Sequence, residues 1–194
     1  MPPNLDRNAN RYVYSKGRET GFEHLYVYDE KTGKVYRQET DHDPARVMPS
    51  QKTKALLESK DVALALVHNH PSSLSLSRAD LGMVLSKPGG KRVVAVGADG
   101  SVFAAEKGPA IHRLGKAVDV ATEEVVHQTL LAKERGLILE GWQAHLVNLA
   151  LDAEGIIHYQ ATLAESRARF YSEERKAMDA IVEAARRRIQ EVMK

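Results

Sequence analysis

Hydrophobic and polar positions form short blocks along the first half of the chain, and these blocks predict strands. Residues 22–40 contain two β-rich runs around the turn sequence EKTG at 30–33, which predicts a hairpin. Residues 61–67, DVALALV, are almost continuously apolar, as expected for a strand buried on both faces. Residues 91–108 predict a second hairpin that turns at Asp99-Gly100.

Helical periodicity fills the intervals between these strands. Ser50 is placed to cap a helix over residues 51–60, and residues 77–87 predict a helix that ends before Pro88. The order is strand, strand, helix, strand, helix, strand, strand. This order indicates an α/β fold in which helices sandwich a mixed sheet.

The two ends of the chain have a different pattern. Residues 1–20 are polar and show no period, which predicts an N-terminal arm or linker. Residues 109–194 have mostly helical spacing, with 156–163 as a short strand or extended segment, and predict a C-terminal helical extension of a domain over 21–108. Residues 165–194 predict one long amphipathic helix, whose apolar seam favours packing on its own domain or in a homodimer. The seam consists of Tyr171, Met178, Val182, Ala185, Ile189 and Val192.

The composition limits which partners and which metal ligands the chain can have. The chain has 28 basic and 26 acidic residues, so its net charge of +2 does not indicate a protein built to coat nucleic acid. It has no cysteine, and therefore any metal must be held by His, Asp and Glu. No apolar run approaches the roughly 20 residues that span a bilayer, and the first residues lack the apolar core of a secretory signal. We therefore expect a cytoplasmic protein with no membrane partner.

The stretch LVHNHPSSLSLSRADL, residues 66–81, contains the candidate metal ligands. Alternate side chains of a strand share a face, so His68 and His70 project together at the end of the predicted strand. The proline after them ends the ladder, and the chain returns in a helix whose first turn holds Asp80. Two imidazoles and one carboxylate are three protein ligands, the number that a catalytic zinc uses with its fourth position open.

Such a site also needs a proton acceptor that lies near the metal without ligating it. Glu23 has the same parity as Leu25 and Val27, and so shares the more apolar face of the first predicted strand. A carboxylate at an inward-facing position is costly unless it is used. Glu23 is the predicted base, whereas His24 has the opposite parity and is expected to point away.

Each of these residues also has a purely structural explanation. Ser77 and Asp80 fit a capping box, in which the serine caps the helix and the acid reaches back. A buried histidine is often a core residue, and Glu23 fits a charge at a strand edge. The combination of His-x-His-Pro with a strand before it and Ser-x-x-Asp after it favours the metal site, and capping is compatible with metal binding.

These residues resemble the signature of the JAMM (JAB/MPN-type) metalloprotease family: an upstream glutamate, His-x-His-Pro, a loop and Ser-x-x-Asp. In this chain the corresponding residues are Glu23, His68-Asn-His70-Pro71 and Ser77-Arg-Ala-Asp80. The residue pattern HNHPS…SRAD is most similar to that of the RadC-like branch encoded by phages and mobile elements. The resemblance covers roughly residues 20–107. The loop between Pro71 and Ser77 is one residue shorter than is common in the family.

The resemblance implies a cytidine-deaminase-like α/β/α sandwich that hydrolyses amide or isopeptide bonds in proteins or peptides, such as a ubiquitin-like tail. It implies Zn2+ as the cofactor, held by His68, His70 and Asp80. It also implies that Glu23 moves a proton from the attacking water to the leaving amine. Ser77 would help to stabilise the oxyanion.

Two other functions stay open at this point. A RadC-like accessory module would serve DNA repair or mobile elements as a binding platform without protease activity, but the complete ligand set and the glutamate favour the enzyme. A nuclease would need a strongly basic face, which the balanced charge does not provide. The letters HNH are also contiguous here, whereas in HNH nucleases the three residues are spread through a ββα unit. Nucleic acid is therefore not a favoured partner.

Overall fold

A computed structural model describes residues 5–194 as an α/β fold with one six-stranded mixed sheet flanked by helices. The strands are β1 Leu25–Asp29, β2 Val35–Glu39, β3 Leu64–His70, β4 Gly90–Gly97, β5 Val102–Lys107 and β6 Ile157–Thr162. The helices are α1 Leu5–Thr20, α2 Gln51–Leu57, α3 Arg78–Leu85, α4 Leu114–Glu134, α5 Gln143–Ala153, α6 Glu165–Glu173 and α7 Arg175–Val192. Within this described part, no helix is long and apolar enough to cross a membrane.

The strand order is β2-β1-β3-β4-β5-β6, with β3 and β4 parallel and every other neighbouring pair antiparallel. Both predicted hairpins are confirmed, and Gly100 turns the second one at φ +89°. The central strand β3 is buried on both faces, as its apolar run predicts. In its register, His68 lies opposite Leu25 of β1 and Ala95 of β4.

One face of the sheet is covered by α1. Ala9 and Val13 of this helix are fully buried against the sheet residues Tyr26, Tyr28 and Val67. The prediction of a patternless arm over residues 1–20 was therefore wrong for residues 5–20, since a narrow apolar stripe is enough to hold a helix on the sheet. Residues 1–4 lie outside the described residues.

The other face packs against α3 and α5, and α4 and α7 pack on these helices, so that all four share one continuous core with the sheet. This core joins Leu66 of β3 to Leu146 of α5 and Ile189 of α7. The region after residue 108 also contributes β6, which pairs with β5 and completes the sheet. The sheet and its core therefore continue past the predicted domain boundary, and the boundary itself stays a prediction.

The predicted helix over residues 165–194 is two helices. The backbone of Glu174 leaves the helical region at φ −99° and ψ 9°, which separates α6 from α7. On α7, Met178, Ala185 and Ile189 of the predicted seam are buried in the chain's own core. Packing of the seam within the chain is thus observed, while a homodimer stays a prediction.

Candidate metal centre

His68 and His70 meet at the end of β3 because their side chains share one face of the strand. Their Nε2 atoms are 2.8 Å apart. His68 is buried at 5% exposure, and the rings contact each other edge to face with centroids 4.6 Å apart. The face on which they lie carries the large core, so the pair sits at the boundary between core and cleft.

Asp80 reaches the two imidazoles from the first turn of α3. Its Oδ1 is 3.4 Å from His68 Nε2, and its Oδ2 is 3.6 Å from His70 Nε2. Ser77 fixes this carboxylate, since its backbone N–H and its hydroxyl each donate to Asp80 Oδ2 at 2.7 Å, and the Asp80 N–H donates to Ser77 Oγ at 3.2 Å. The capping box is therefore present and aims the acid at the histidines. The ligand atoms of the three residues lie within 4.8 Å of one another, a group that could hold a metal ion.

The charges of this group follow from its burial. Burial lowers the pKa of His68, although the neighbouring Asp80 acts in the opposite direction. Burial alone would raise the pKa of Asp80, but the two imidazoles and the hydrogen bonds from Ser77 outweigh it and leave that pKa lowered. At neutral pH His68 is therefore a neutral imidazole and Asp80 a carboxylate, which are the forms of these side chains that bind a metal ion.

Hydrogen bonds on the far side of the rings decide which nitrogens face the cleft. His70 Nδ1 lies 2.8 Å from the carbonyl oxygen of Leu74, which can only accept, so Nδ1 carries the proton. His70 Nε2 then presents a lone pair to His68 Nε2 and to Asp80, and an N–H at His68 Nε2 would donate to it. A metal ion bound by the three side chains would instead take a lone pair from each imidazole.

Glu23 lies in the same cleft, just before β1 and outside the three-residue group. Its backbone N–H donates to Asp43 O at 2.9 Å, and the Thr40 hydroxyl donates to its carbonyl oxygen at 2.8 Å. The residue is only 6% exposed. Burial, and next the charge of Asp80, raise its pKa from 4.5 to about 7 despite a hydrogen bond from the Val47 backbone. The carboxyl group is therefore poised to exchange a proton near neutral pH.

Asn69, between the two histidines, holds the segment that carries Glu23. Its Oδ1 accepts from the His24 N–H at 2.7 Å, and its Nδ2 donates to Phe22 O at 3.1 Å, so it clamps both neighbours of the glutamate. Gly17 of α1 packs against this amide, and a Cβ there would collide with it. The sequence prediction missed Asn69 as a site residue. Its position between the histidines places it on the opposite face, and its partners are 45 and 47 positions away.

The cleft beside the group has a volume of about 330 Å³. Its walls are mainly apolar, formed by Leu25, Val47, Met48, Leu66, Met83, Val84 and Val93. Glu23 and the three possible ligands are the main titratable groups in it, with Arg46 at the opening. Met48 and Leu74, at the cleft, are exposed by 44% and 40%. An apolar cleft with a few convergent polar groups is the usual form of a ligand or substrate site.

Ser77 lies in the cleft, but its hydroxyl is engaged as the helix cap and as a donor to Asp80. The contacts therefore support a role in orienting the carboxylate. The predicted role at an oxyanion needs this hydroxyl to turn away from Asp80, and stays a prediction.

Comparison with known proteins gives no relative from which a role could be transferred. No model of a known protein family, no curated protein and no solved structure matches this chain. The chemistry open to the chain is that of the side chains that meet at the cleft.

Proposed function

We propose that this chain is a zinc-dependent hydrolase of peptide or isopeptide bonds, of JAMM type. The observation that carries the proposal is the meeting of two imidazole nitrogens and one carboxylate in a largely buried cleft. A binding site for zinc uses nitrogen and oxygen ligands, and three protein ligands leave a coordination position open for chemistry. The donor set of His68, His70 and Asp80 fits Zn2+. The α/β fold with helices on both faces of the sheet supports the family's α/β/α sandwich at the level of fold class.

Glu23 is the residue suited to move protons in this cleft. A zinc ion held by the three ligands would polarise the scissile carbonyl and make water nucleophilic at neutral pH. Glu23 lies outside the ligand group, so its carboxylate is free to accept the proton of the attacking water and to deliver it to the nitrogen of the leaving amine. A general base works best when its pKa lies near the working pH, as burial arranges here.

The cleft also suggests what part of a substrate is bound. Its apolar walls are suited to bury an aliphatic side chain next to the scissile bond, while Asp80 and the histidines line the same space. We therefore propose protein or peptide tails with an aliphatic residue beside the cleaved bond, including ubiquitin-like tails.

Substitution of Glu23 tests the proposal. Glu23→Gln should retain zinc and lose hydrolysis of a fluorogenic amide of a ubiquitin-like tail by roughly 10²–10⁴-fold, since a positioned general base contributes that much. Glu30→Gln is the matched control, because Glu30 is a half-buried glutamate that also has a raised pKa but pairs with Arg92 away from the cleft. Wild-type turnover in Glu23→Gln would exclude the assigned base. A wild-type protein that holds zinc and cleaves nothing would instead be a binding module of the RadC-like kind.

A further inference from the structure

The loop of residues 72–76, here the ligand loop, orients one of the proposed ligands. The carbonyl oxygen of Leu74 accepts from His70 Nδ1 at 2.8 Å, and this bond turns Nε2 toward the cleft. Ser73 has a φ of +55°, a left-handed conformation that a serine adopts only with support from its surroundings. Something outside the loop must therefore hold it in place.

Side chains of α5 and β6 hold the second half of the ligand loop. Ser75 Oγ is 2.7 Å from Tyr159 Oη, and Asn148 Nδ2 donates both to Ser75 Oγ at 3.1 Å and to Leu76 O at 3.0 Å. Tyr159 Oη lies 2.7 Å from His145 Nδ1. We name Ser75, His145, Asn148 and Tyr159 the buried network. Each of these residues is at most 7% exposed.

The donors and acceptors of the buried network run in one direction. The carbonyl of Leu76 fixes the Asn148 amide nitrogen as the donor, so Ser75 Oγ accepts from it and can donate to Tyr159 Oη. Tyr159 then donates to His145 Nδ1. Burial, and next the charge of Arg167, lower the pKa of His145 to about 4, so its ring stays neutral and able to accept.

A second support reaches the ligand loop from α6. Arg167 Nη1 donates to Ser73 O at 2.9 Å, and its guanidinium lies 4.5 Å from the centre of the Trp142 ring. Trp142 also contacts the ring of His145 at 5.5 Å. The residues on both sides of Leu74 are thus fixed by side chains from the C-terminal part of the chain.

We propose that Tyr159 is a positioning residue for the metal centre: through Ser75 and the ligand loop, the buried network holds the Leu74 carbonyl that orients His70. This inference rests on the proposed function in one respect, that His70 is a zinc ligand. It gives the C-terminal part of the chain a role in the site as well as in the core. Tyr159 does not line the cleft, and its hydroxyl contacts Ser75 and His145, so its effect on His70 passes through the loop.

Tyr159→Phe removes only the hydroxyl of the buried network. We expect zinc affinity, measured by competition with a chromophoric chelator, to fall about tenfold, as for loss of an outer-shell partner. In the metal-free variant, ¹⁵N shifts of the imidazoles should show that His70 is no longer confined to the tautomer protonated at Nδ1. Tyr171→Phe is the matched control, because its ring packs on the same His145 at 5.4 Å without reaching the ligand loop. It should leave both readouts at their wild-type values.

Ser75→Ala is the second variant, since it breaks the same link from the loop side with a smaller change in the core. The inference is overturned if both variants keep wild-type zinc affinity and the wild-type His70 tautomer, whatever their melting temperatures. Failure of the proposed function has a different signature. A protein without hydrolysis, or without zinc, still reports the His70 tautomer in its metal-free state, and that readout then decides the inference.

Discussion

Two groups of buried polar side chains meet at the ligand loop, and they differ in how their hydrogen bonds are completed. In the buried network, donors and acceptors alternate from Asn148 through Ser75 and Tyr159 to His145. In the proposed metal centre, the Nε2 atoms of His68 and His70 are 2.8 Å apart beside a carboxylate. The first group joins its four side chains by direct hydrogen bonds, although Asn148 Oδ1 is buried with no partner among the described residues. The second group brings together three side chains that could hold a metal ion.

The pKa values alone would not separate these groups. Burial lowers the pKa of His68 in one group and of His145 in the other. What separates them is the partner of a ring nitrogen, a phenol hydroxyl for His145 and a second imidazole for His68. A shifted pKa is therefore not enough to mark a buried histidine as functional, and the groups that its nitrogens meet must be compared as well.

The largest expected effect concerns zinc affinity. His70→Ala removes a proposed ligand and should weaken zinc binding by more than the roughly 10–100-fold that outer-shell substitutions cost. Tyr159→Phe, in the buried network, should weaken it about tenfold and still bind a full equivalent at saturating zinc. Chelator competition on both variants measures the two losses of zinc affinity. Equal losses would contradict the assignment of His70 as a ligand and Tyr159 as a positioning residue.

In the metal-free protein, substitutions in the buried network should lower the free energy of unfolding more than substitutions in the proposed metal centre. Asn148→Ala leaves Ser75 and the Leu76 carbonyl without their donor in the core, and should lower the free energy of unfolding by about 2–3 kcal/mol. Asp80→Asn should cost less than Asn148→Ala. It loses the interactions with the imidazoles and Ser77 that lower the pKa of Asp80, but its amide could donate to an imidazole nitrogen while its oxygen still accepts from Ser77. Urea unfolding with chelator present tests this. An Asp80→Asn variant destabilised as strongly as Asn148→Ala would contradict the ranking.

The stability contributed by Glu23 should depend on pH in a defined direction. Its folded pKa is raised from 4.5 to about 7, so the folded state favours the protonated form, and stability is lost as pH rises through that range. In metal-free protein, Glu23→Gln should therefore match wild type near pH 4.5 and be more stable by about 1–3 kcal/mol near pH 8. Urea unfolding of both proteins across this range measures the difference. A constant difference across the range would show that Glu23 titrates normally.

The smallest effect is expected at Asn69. Asn69→Ala removes the clamp on both sides of Glu23, and should lower turnover about tenfold while zinc remains bound, since misplaced catalytic groups lose rate rather than metal. Thr20→Val is the control, because Thr20 bonds the ring of His24 on the other face of the sheet. Steady-state kinetics well below the melting temperature makes the comparison. Equal turnover in the two variants would remove Asn69 from the site.

The strands, their hairpins and the histidine pair were predictable because each rests on a local pattern. Strand parity was enough to put His68 and His70 on one face, and the capping box was enough to return Asp80 toward them. These local rules also explain why Glu23, rather than His24, lies in the cleft.

The features that were not predicted include contacts between residues that are distant in sequence. Ser75 and Asn148 are separated by 73 positions, and neither residue has a neighbour in sequence that signals the contact. The helix α1 was missed because only a narrow stripe including Ala9 and Val13 is buried, in a segment that is otherwise polar. The break at Glu174 was missed because residues on both sides keep helical spacing.

The most direct test of the metal centre is the zinc content of the purified protein by elemental analysis, with His68→Ala and His24→Ala prepared in parallel. His24 is a buried imidazole on the face covered by α1, bonded to Thr20, and serves as the matched control. We expect about one zinc per chain in wild type and in His24→Ala, and none in His68→Ala. A wild-type protein that takes up no zinc even when it is supplied, or a His68→Ala variant that keeps a full equivalent, would contradict the metal centre described above.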